Sequence, residues 1–273
     1  MKLPLLLLAG WITLATPATA AHYQLFLLTG QSNSLGTTDG GEADPSPGPD
    51  PADAQIRFFW HNLANAKTSL GSSDGGFTKL QAQQGGFYKG SATHWGPEMA
   101  FGRSHFRAGV TNLGIIKASR GGGGNSFWSK GGADAHMYEH VVKTVKAAAA
   151  HLQAGGHTFE MAGLLYLQGE SDSAAEAAEA DQRFEQLLAN LRADLPQATG
   201  MRAVIGGIAA AGATRDVVRA KHAGLAARRA DIGYFDTTDL RGQMPDALHF
   251  NKVAKLTLGE RFARAFAALP PLR

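Results

Sequence analysis

Four polar clusters in this chain carry side chains suited to acyl transfer. Ser32 stands in "TGQSNSLG" (29–36), directly after the apolar run "YQLFLL" (23–28). Asp246 and His249 stand i, i+3 in "PDALHFN" (245–251). In a helical or turn-like segment that spacing brings a carboxylate against an imidazole. The carboxylate then holds the imidazole tautomer, and the other ring nitrogen is free to take a serine proton. Without such a base a serine hydroxyl is a weak nucleophile. The other clusters are "ASRGGGGNSFW" (118–128) and "LQGESDS" (167–173). The first offers backbone N–H groups in its glycine run, the second the Gln168 side-chain amide, and both are donors of the kind that stabilise an oxyanion. Any one cluster reads equally well as a strand-end turn. Together they supply a nucleophile, a base, an orienting acid and oxyanion donors.

These residues need a frame that brings them to one edge. Strands are expected at 23–28, 56–60, 113–119, 161–167, 202–209 and 232–236. Most are continuous apolar runs, the pattern of strands buried on both faces. Between them, Met137, Val141, Val145, Ala148 and Leu152 recur at steps of three and four, a core-facing helical stripe. A helix is expected over 173–195, opened by the capping box at Ser173 and Glu176 and stopped near Pro196. Another starts after Asn251, a good N-cap, and runs to about Phe266. Repeated β-α order predicts a mostly parallel sheet with helices on both faces. Ligands of such sheets sit outside the carboxyl ends of the strands, where Ser32 falls. The Pro-, Gly- and Asp-rich segment 37–55 reads as a long loop, and 61–95 lacks clear periodicity.

"GQSN" after the first strand, "GG" after the third, "QGESD" after the fourth and "DxxH" near the C-terminus resemble the SGNH hydrolase superfamily. The resemblance is closer to its sialate O-acetylesterase-like branch, similar to carbohydrate esterase family six. The four blocks come in that family's order and span Gly30 to His249. The resemblance implies a flavodoxin-like three-layer α/β/α sandwich. It implies Ser32 as nucleophile, His249 as general base and Asp246 as its partner. It implies an oxyanion hole from the Ser32 amide, a glycine amide near Gly122 and the Gln168 side chain, with Gln31, Asn33 and Glu170 in support. The usual reaction is removal of acetyl groups from sugar hydroxyls, so the implied partner is an acetylated sugar or polysaccharide, with no metal and no other cofactor. There are departures. Ser34-Leu35-Gly36 stands where the family has Met-Ala-Gly, Leu167 where His is frequent, and four glycines at 121–124 where two precede Thr or Ser.

Other features are weighed against this reading. "MKLPLLLLAGWITLATPATA" reads as a secretory signal peptide cleaved after Ala20, leaving 21–273 as one esterase domain exported to the periplasm or beyond the cell. The chain has no cysteine, so no disulfide supports it. A formal charge of +3 with scattered basic residues gives no nucleic-acid groove and no polybasic membrane patch, and no later segment is apolar enough to cross a membrane. Nothing in the sequence sets an oligomeric state. Glu170 and Asp172 form a glycosidase-like acid pair by composition. Their plainer roles are a loop brace for Glu170 and a charge at a helix N-terminus for Asp172. Trp60, Trp95 and Trp128 read as core more readily than as sugar platforms, and Arg120 as a solvated side chain. "HMYEH" (136–140) matches a zinc-protease pattern, but its His136 and His140 flank a packing stripe. The alternatives to a serine esterase are therefore an inactive carbohydrate-binding module of the same fold and a zinc-dependent hydrolase.

Overall fold

The computed structural model describes residues 20–37, 46–65, 68–85, 92–132 and 136–272. The expected signal peptide, apart from Ala20, and the middle of the 37–55 loop lie outside the described residues. In chain order the strands are β1 (His22–Gly30), β2 (Arg57–Asn65), β3 (Thr68–Ser72), β4 (Thr78–Lys79), β5 (Gln83–Gln84), β6 (Thr93–His94), β7 (Leu113–Ser119), β8 (Thr158–Leu167), β9 (Arg202–Gly206) and β10 (Ile232–Phe235). The helices are α1 (Ser32–Leu35), α2 (Glu98–Arg107), α3 (His136–Ala154), α4 (Ala174–Ala178), α5 (Ala180–Asp194), α6 (Ala213–Arg228) and α7 (Lys252–Ala267). Each strand expected from its apolar run is present.

The main sheet runs β10-β9-β8-β1-β7-β2-β3, with β4 also paired to β2. All pairings from β10 to β2 are parallel, and only β3 and β4 run antiparallel to β2. Strands β7, β1, β8, β9 and β10 reproduce the 2-1-3-4-5 order of flavodoxin-like sheets, and β2 extends that sheet beyond β7. The fold is thus an α/β three-layer sandwich with a mostly parallel sheet. β1 lies between β7 and β8, where successive connections leave in opposite directions, and the carboxyl end of such a switch point is where sheets of this kind bind their ligands.

Both faces of β1 are buried, as its unbroken apolar run requires. Leu25 and Leu27 pack with Val141, Val145 and Leu152 of α3 and Leu187 and Leu191 of α5. Phe26 and Leu28 pack on the opposite side with Phe101 of α2 and Leu258, Phe262 and Phe266 of α7. Each such side chain fully removed from water contributes about 1.5–3 kcal/mol. At the exit of β1, Gly30 has φ 142°, and a Cβ there would lie 1.9 Å from the Leu167 carbonyl oxygen. Only glycine lets β1 and β8 end this close together. That contact sets the turn that carries Ser32 directly against the β8 exit.

The helix expected over 173–195 is two helices. The capping box forms, with both reciprocal bonds between Ser173 and Glu176. The chain then breaks at Glu179, φ −110° and ψ 8°. Ala177 and Ala180, on either side of the break, belong to the core that holds Phe26 and Leu28, and further along α5 Phe184 and Leu187 belong to the core that holds Leu25 and Leu27. The stretch 61–95 holds the short strands β3 to β6, too brief for periodicity to register.

Candidate active site

α1 begins with Ser32, immediately beyond β1, and Gln31 N–H donates to the Leu167 carbonyl at 3.1 Å. The Ser32 Oγ lies 3.0 Å from His249 Nε2. On the other side of the ring, His249 Nδ1 lies 2.5 Å from Asp246 Oδ2. A carboxylate can only accept, so Nδ1 carries the ring hydrogen and Nε2 accepts from the serine. The i, i+3 spacing works through a tight turn: Asp246 Oδ1 accepts the N–H groups of Leu248 at 3.0 Å and His249 at 2.6 Å, and Ala247 sits at φ 61°. Burial works to raise the Asp246 pKa, but the backbone and ring N–H groups of His249 and the Leu248 N–H outweigh it and hold the carboxyl below its ordinary value. Asp246 therefore stays ionised beside the ring.

Asn33 joins these parts. Its Nδ2 donates to Glu170 Oε1 at 2.6 Å and to the Leu248 carbonyl at 3.1 Å, and its Oδ1 accepts from Phe250 N–H at 3.2 Å. Gln31 adds a reciprocal pair with Ser171, its Nε2 donating to the hydroxyl and its Oε1 accepting the N–H, each at 3.3 Å. Glu170 is thus a brace between loops, and Arg215 Nε donates to its carbonyl at 3.1 Å. Burial pushes the Glu170 carboxyl upwards against the opposing bond from Asn33. Below the serine, the buried Lys117 Nζ donates to the Leu35 carbonyl at 2.9 Å and pairs with Glu98 Oε2 at 2.9 Å. Lys255 Nζ donates to the Gly36 carbonyl at 3.3 Å and lies 4.1 Å from the Trp95 ring centroid.

Of the expected oxyanion donors, no acceptor among the described residues takes the N–H of Ser32 or Gly122. Gly122 has φ 64° with open space where a Cβ would stand. The Gln168 side chain is already engaged. Its buried Nε2 donates to Asp172 Oδ1 at 2.8 Å and makes a long bond to the Gly123 carbonyl at 3.3 Å. Asp172 departs from its expected role at a helix N-terminus. Ser173 and Glu176 cap α4, and the Asp172 carboxylate turns instead to Gln168 and Asn125. Burial pushes its pKa up to about 6, against the bonds from Gln168 and Asn125.

Arg120 is buried rather than solvated: its Nη1 lies 2.7 Å from His136 Nε2 and its guanidinium 4.7 Å from the Phe127 ring centroid. His140 Nε2 lies 2.7 Å from the His61 carbonyl, so both histidines of the zinc-protease pattern face partners other than each other. Among the described residues no group of three or more His, Cys, Asp or Glu is placed to hold a metal ion. Trp60 stacks on Phe58, Trp95 lies under Lys255, and Trp128 Nε1 donates to Thr29 Oγ1 at 3.0 Å. All three are buried and present no platform to a sugar.

The profile of a carbohydrate esterase family, described as sialic acid-specific acetylesterase, matches residues 22–268. The chain belongs to this family. Membership supports carbohydrate esterase activity for the protein. No curated protein matches the sequence of this esterase. Among solved structures, a protein from Arabidopsis thaliana aligns with TM-score 0.68 and 23% identity, over 90% of the esterase and 99% of its own chain. NanS aligns with TM-score 0.59 and 17% identity, over 92% and 98%. A carbohydrate acetylesterase from Xanthomonas citri aligns with TM-score 0.60 and 16% identity, over 90% of the esterase and 56% of its own chain. These likenesses establish a shared fold.

Asn33→Ala tests the brace. It strands the buried Glu170 carboxylate and frees the His249 loop. Losing a hydrogen bond to a charged group costs about 1.5–3 kcal/mol. The variant is expected to melt several degrees lower and to turn over an aryl acetate at least about tenfold more slowly, since small misplacements of reacting groups are expensive. Calorimetry and steady-state kinetics check this, and unchanged melting and turnover would contradict it.

Proposed function

We propose that the protein is a serine esterase that removes acetyl groups from O-acetylated carbohydrates through an acyl-enzyme intermediate. One observation carries the reading: the relay from Ser32 Oγ to His249 Nε2 at 3.0 Å and from His249 Nδ1 to Asp246 Oδ2 at 2.5 Å, at the carboxyl end of β1. Family membership supports the substrate class.

In this mechanism His249 Nε2 takes the Ser32 proton as Oγ bonds to the acetyl carbonyl carbon. The carbonyl electron pair moves onto oxygen. That oxyanion meets the N–H groups of Ser32 and Gly122, and it takes over the Gln168 hydrogen otherwise spent on the long bond to Gly123. The tetrahedral intermediate collapses by breaking the bond to the sugar oxygen, which receives the proton from His249. Water then attacks the acetyl-serine with His249 again as base, acetate leaves, and Ser32 recovers its proton. Asp246 holds the ring and stabilises the imidazolium formed in each half.

The reading includes export with residues 1–20 removed. β1 begins at His22, so cleavage after Ala20 leaves the sheet whole. Intact mass of the protein recovered outside the cytoplasm should fit a chain beginning at Ala21, and recovery only as the full-length cytoplasmic chain would contradict export.

Ser32→Ala is expected to fold normally and to lose several orders of magnitude in kcat on aryl acetates and acetylated sugars. Wild-type turnover in the folded variant would overturn the serine mechanism.

A further inference from the structure

Asp172 links two segments that reach the serine from different directions. Its Oδ1 accepts from Gln168 Nε2 at 2.8 Å, at the exit of β8, and from Asn125 N–H at 2.9 Å, at the end of the glycine loop. Its Oδ2 accepts from Asn125 Nδ2 at 2.9 Å. The loop is latched further by Glu176, whose Oε1 accepts from Ser126 N–H at 3.2 Å and Ser126 Oγ at 2.5 Å. Gly124 makes that reach possible, since a Cβ there would meet the Glu176 carboxylate at 2.2 Å.

A carboxylate cannot donate, so it dictates the sense of the Gln168 amide: nitrogen toward Asp172, oxygen away, where it accepts from Tyr166 OH at 3.2 Å. One amide hydrogen is then fixed on Asp172. The direction of the other is fixed with it, held only by the long 3.3 Å bond to Gly123. A buried anion close to a developing oxyanion is costly unless donors saturate it, and Asp172 meets N–H groups from both sides. A neutral Asn would occupy the same volume, yet it could offer Gln168 its own NH2 and let that amide turn over.

We propose that Asp172 is a positioning residue for the oxyanion site: it orients the Gln168 amide and fixes the glycine loop that carries the Gly122 N–H. The inference rests on the serine-esterase reading. It assigns Asp172 no contact with substrate. Its effect is confined to the tetrahedral stage, so binding of the planar ester is untouched.

The test compares wild type, Asp172→Asn, Gln168→Ala, the double variant and Ser32→Ala. For each, kcat and KM on an aryl acetate are measured, together with Ki for a boronic acid that forms a tetrahedral serine adduct. Asp172→Asn is expected to lower kcat about a hundredfold, the scale of one lost oxyanion donor, with KM within about twofold. The boronic acid Ki should rise by a comparable factor. The double variant should lose clearly less than the product of the two single losses, because both act through the Gln168 donor, and its excess over Gln168→Ala alone reads the share carried by the glycine loop. If Asp172→Asn fails to fold, Asn125→Ala keeps the Asp172–Gln168 bond and removes only the Nδ2 bonds to Asp172 and to the Glu176 carbonyl, which loosens the glycine loop; it should lower kcat up to about tenfold at unchanged KM, a partial loss of the same donors. Unchanged kcat and Ki in the folded variants, or a loss confined to KM, would overturn the role of Asp172 while Ser32→Ala is inactive. An active Ser32→Ala would instead overturn the serine reading on which it rests.

Discussion

The three-way bonding of Asn33 is the constraint on which the site depends. The residues that meet there come from the exits of β1 and β8 and from the turn before α7, and sequence separation gives them no reason to stay together. A serine–imidazole pair works only within a few tenths of an ångström. Asn33, adjacent to the serine, donates to the β8 loop and to the histidine turn and accepts from the residue after His249. A displacement of any of these segments therefore breaks a bond to the residue next to Ser32.

The far side of the Ser32 turn is fixed by buried charge. A helix of one turn has no stability of its own. Its terminal carbonyls at Leu35 and Gly36 are met by Lys117 and Lys255, both buried. Taking the Lys117–Glu98 pair out of water costs several kcal/mol per ion before its attraction is counted, and burial pulls the Lys117 pKa down against the opposing effect of Glu98. An apolar pair would fill that volume but could donate nothing to the carbonyl at the end of α1. The three carboxylates nearer the serine divide by environment. Asp246 is rich in donors and kept ionised, whereas burial raises the pKa of Glu170 and Asp172.

Much of this was legible in the sequence because it is local. Continuous apolar runs marked the parallel strands, and a serine just beyond the first marked the candidate nucleophile. The spacing of Asp246 and His249 anticipated their contact, although the turn that makes it needs Ala247 at positive φ, which the sequence does not advertise. What escaped was tertiary. No helix-breaking residue marks the break at Glu179, and the chain passes from one core to the other beyond it, between Ala180 and Phe184. α6 buries only Val218, His222 and Leu225, too narrow a stripe to stand out. Gln168 could be recognised as an amide near the serine, but its commitment to Asp172 could not. Lys117 was the missed signal: a lysine within "LGIIKAS" (113–119) had to find a buried partner.

In the proposed mechanism the Ser32 Oγ is the atom acylated. The most direct test is peptide mass mapping of the mature protein after inactivation by a fluorophosphonate, beside a His249→Ala control. One adduct is expected, on Ser32, forming in step with loss of esterase activity and strongly slowed in the control. Inactivation with the adduct on another residue, or full activity with Ser32 fully modified, would contradict it.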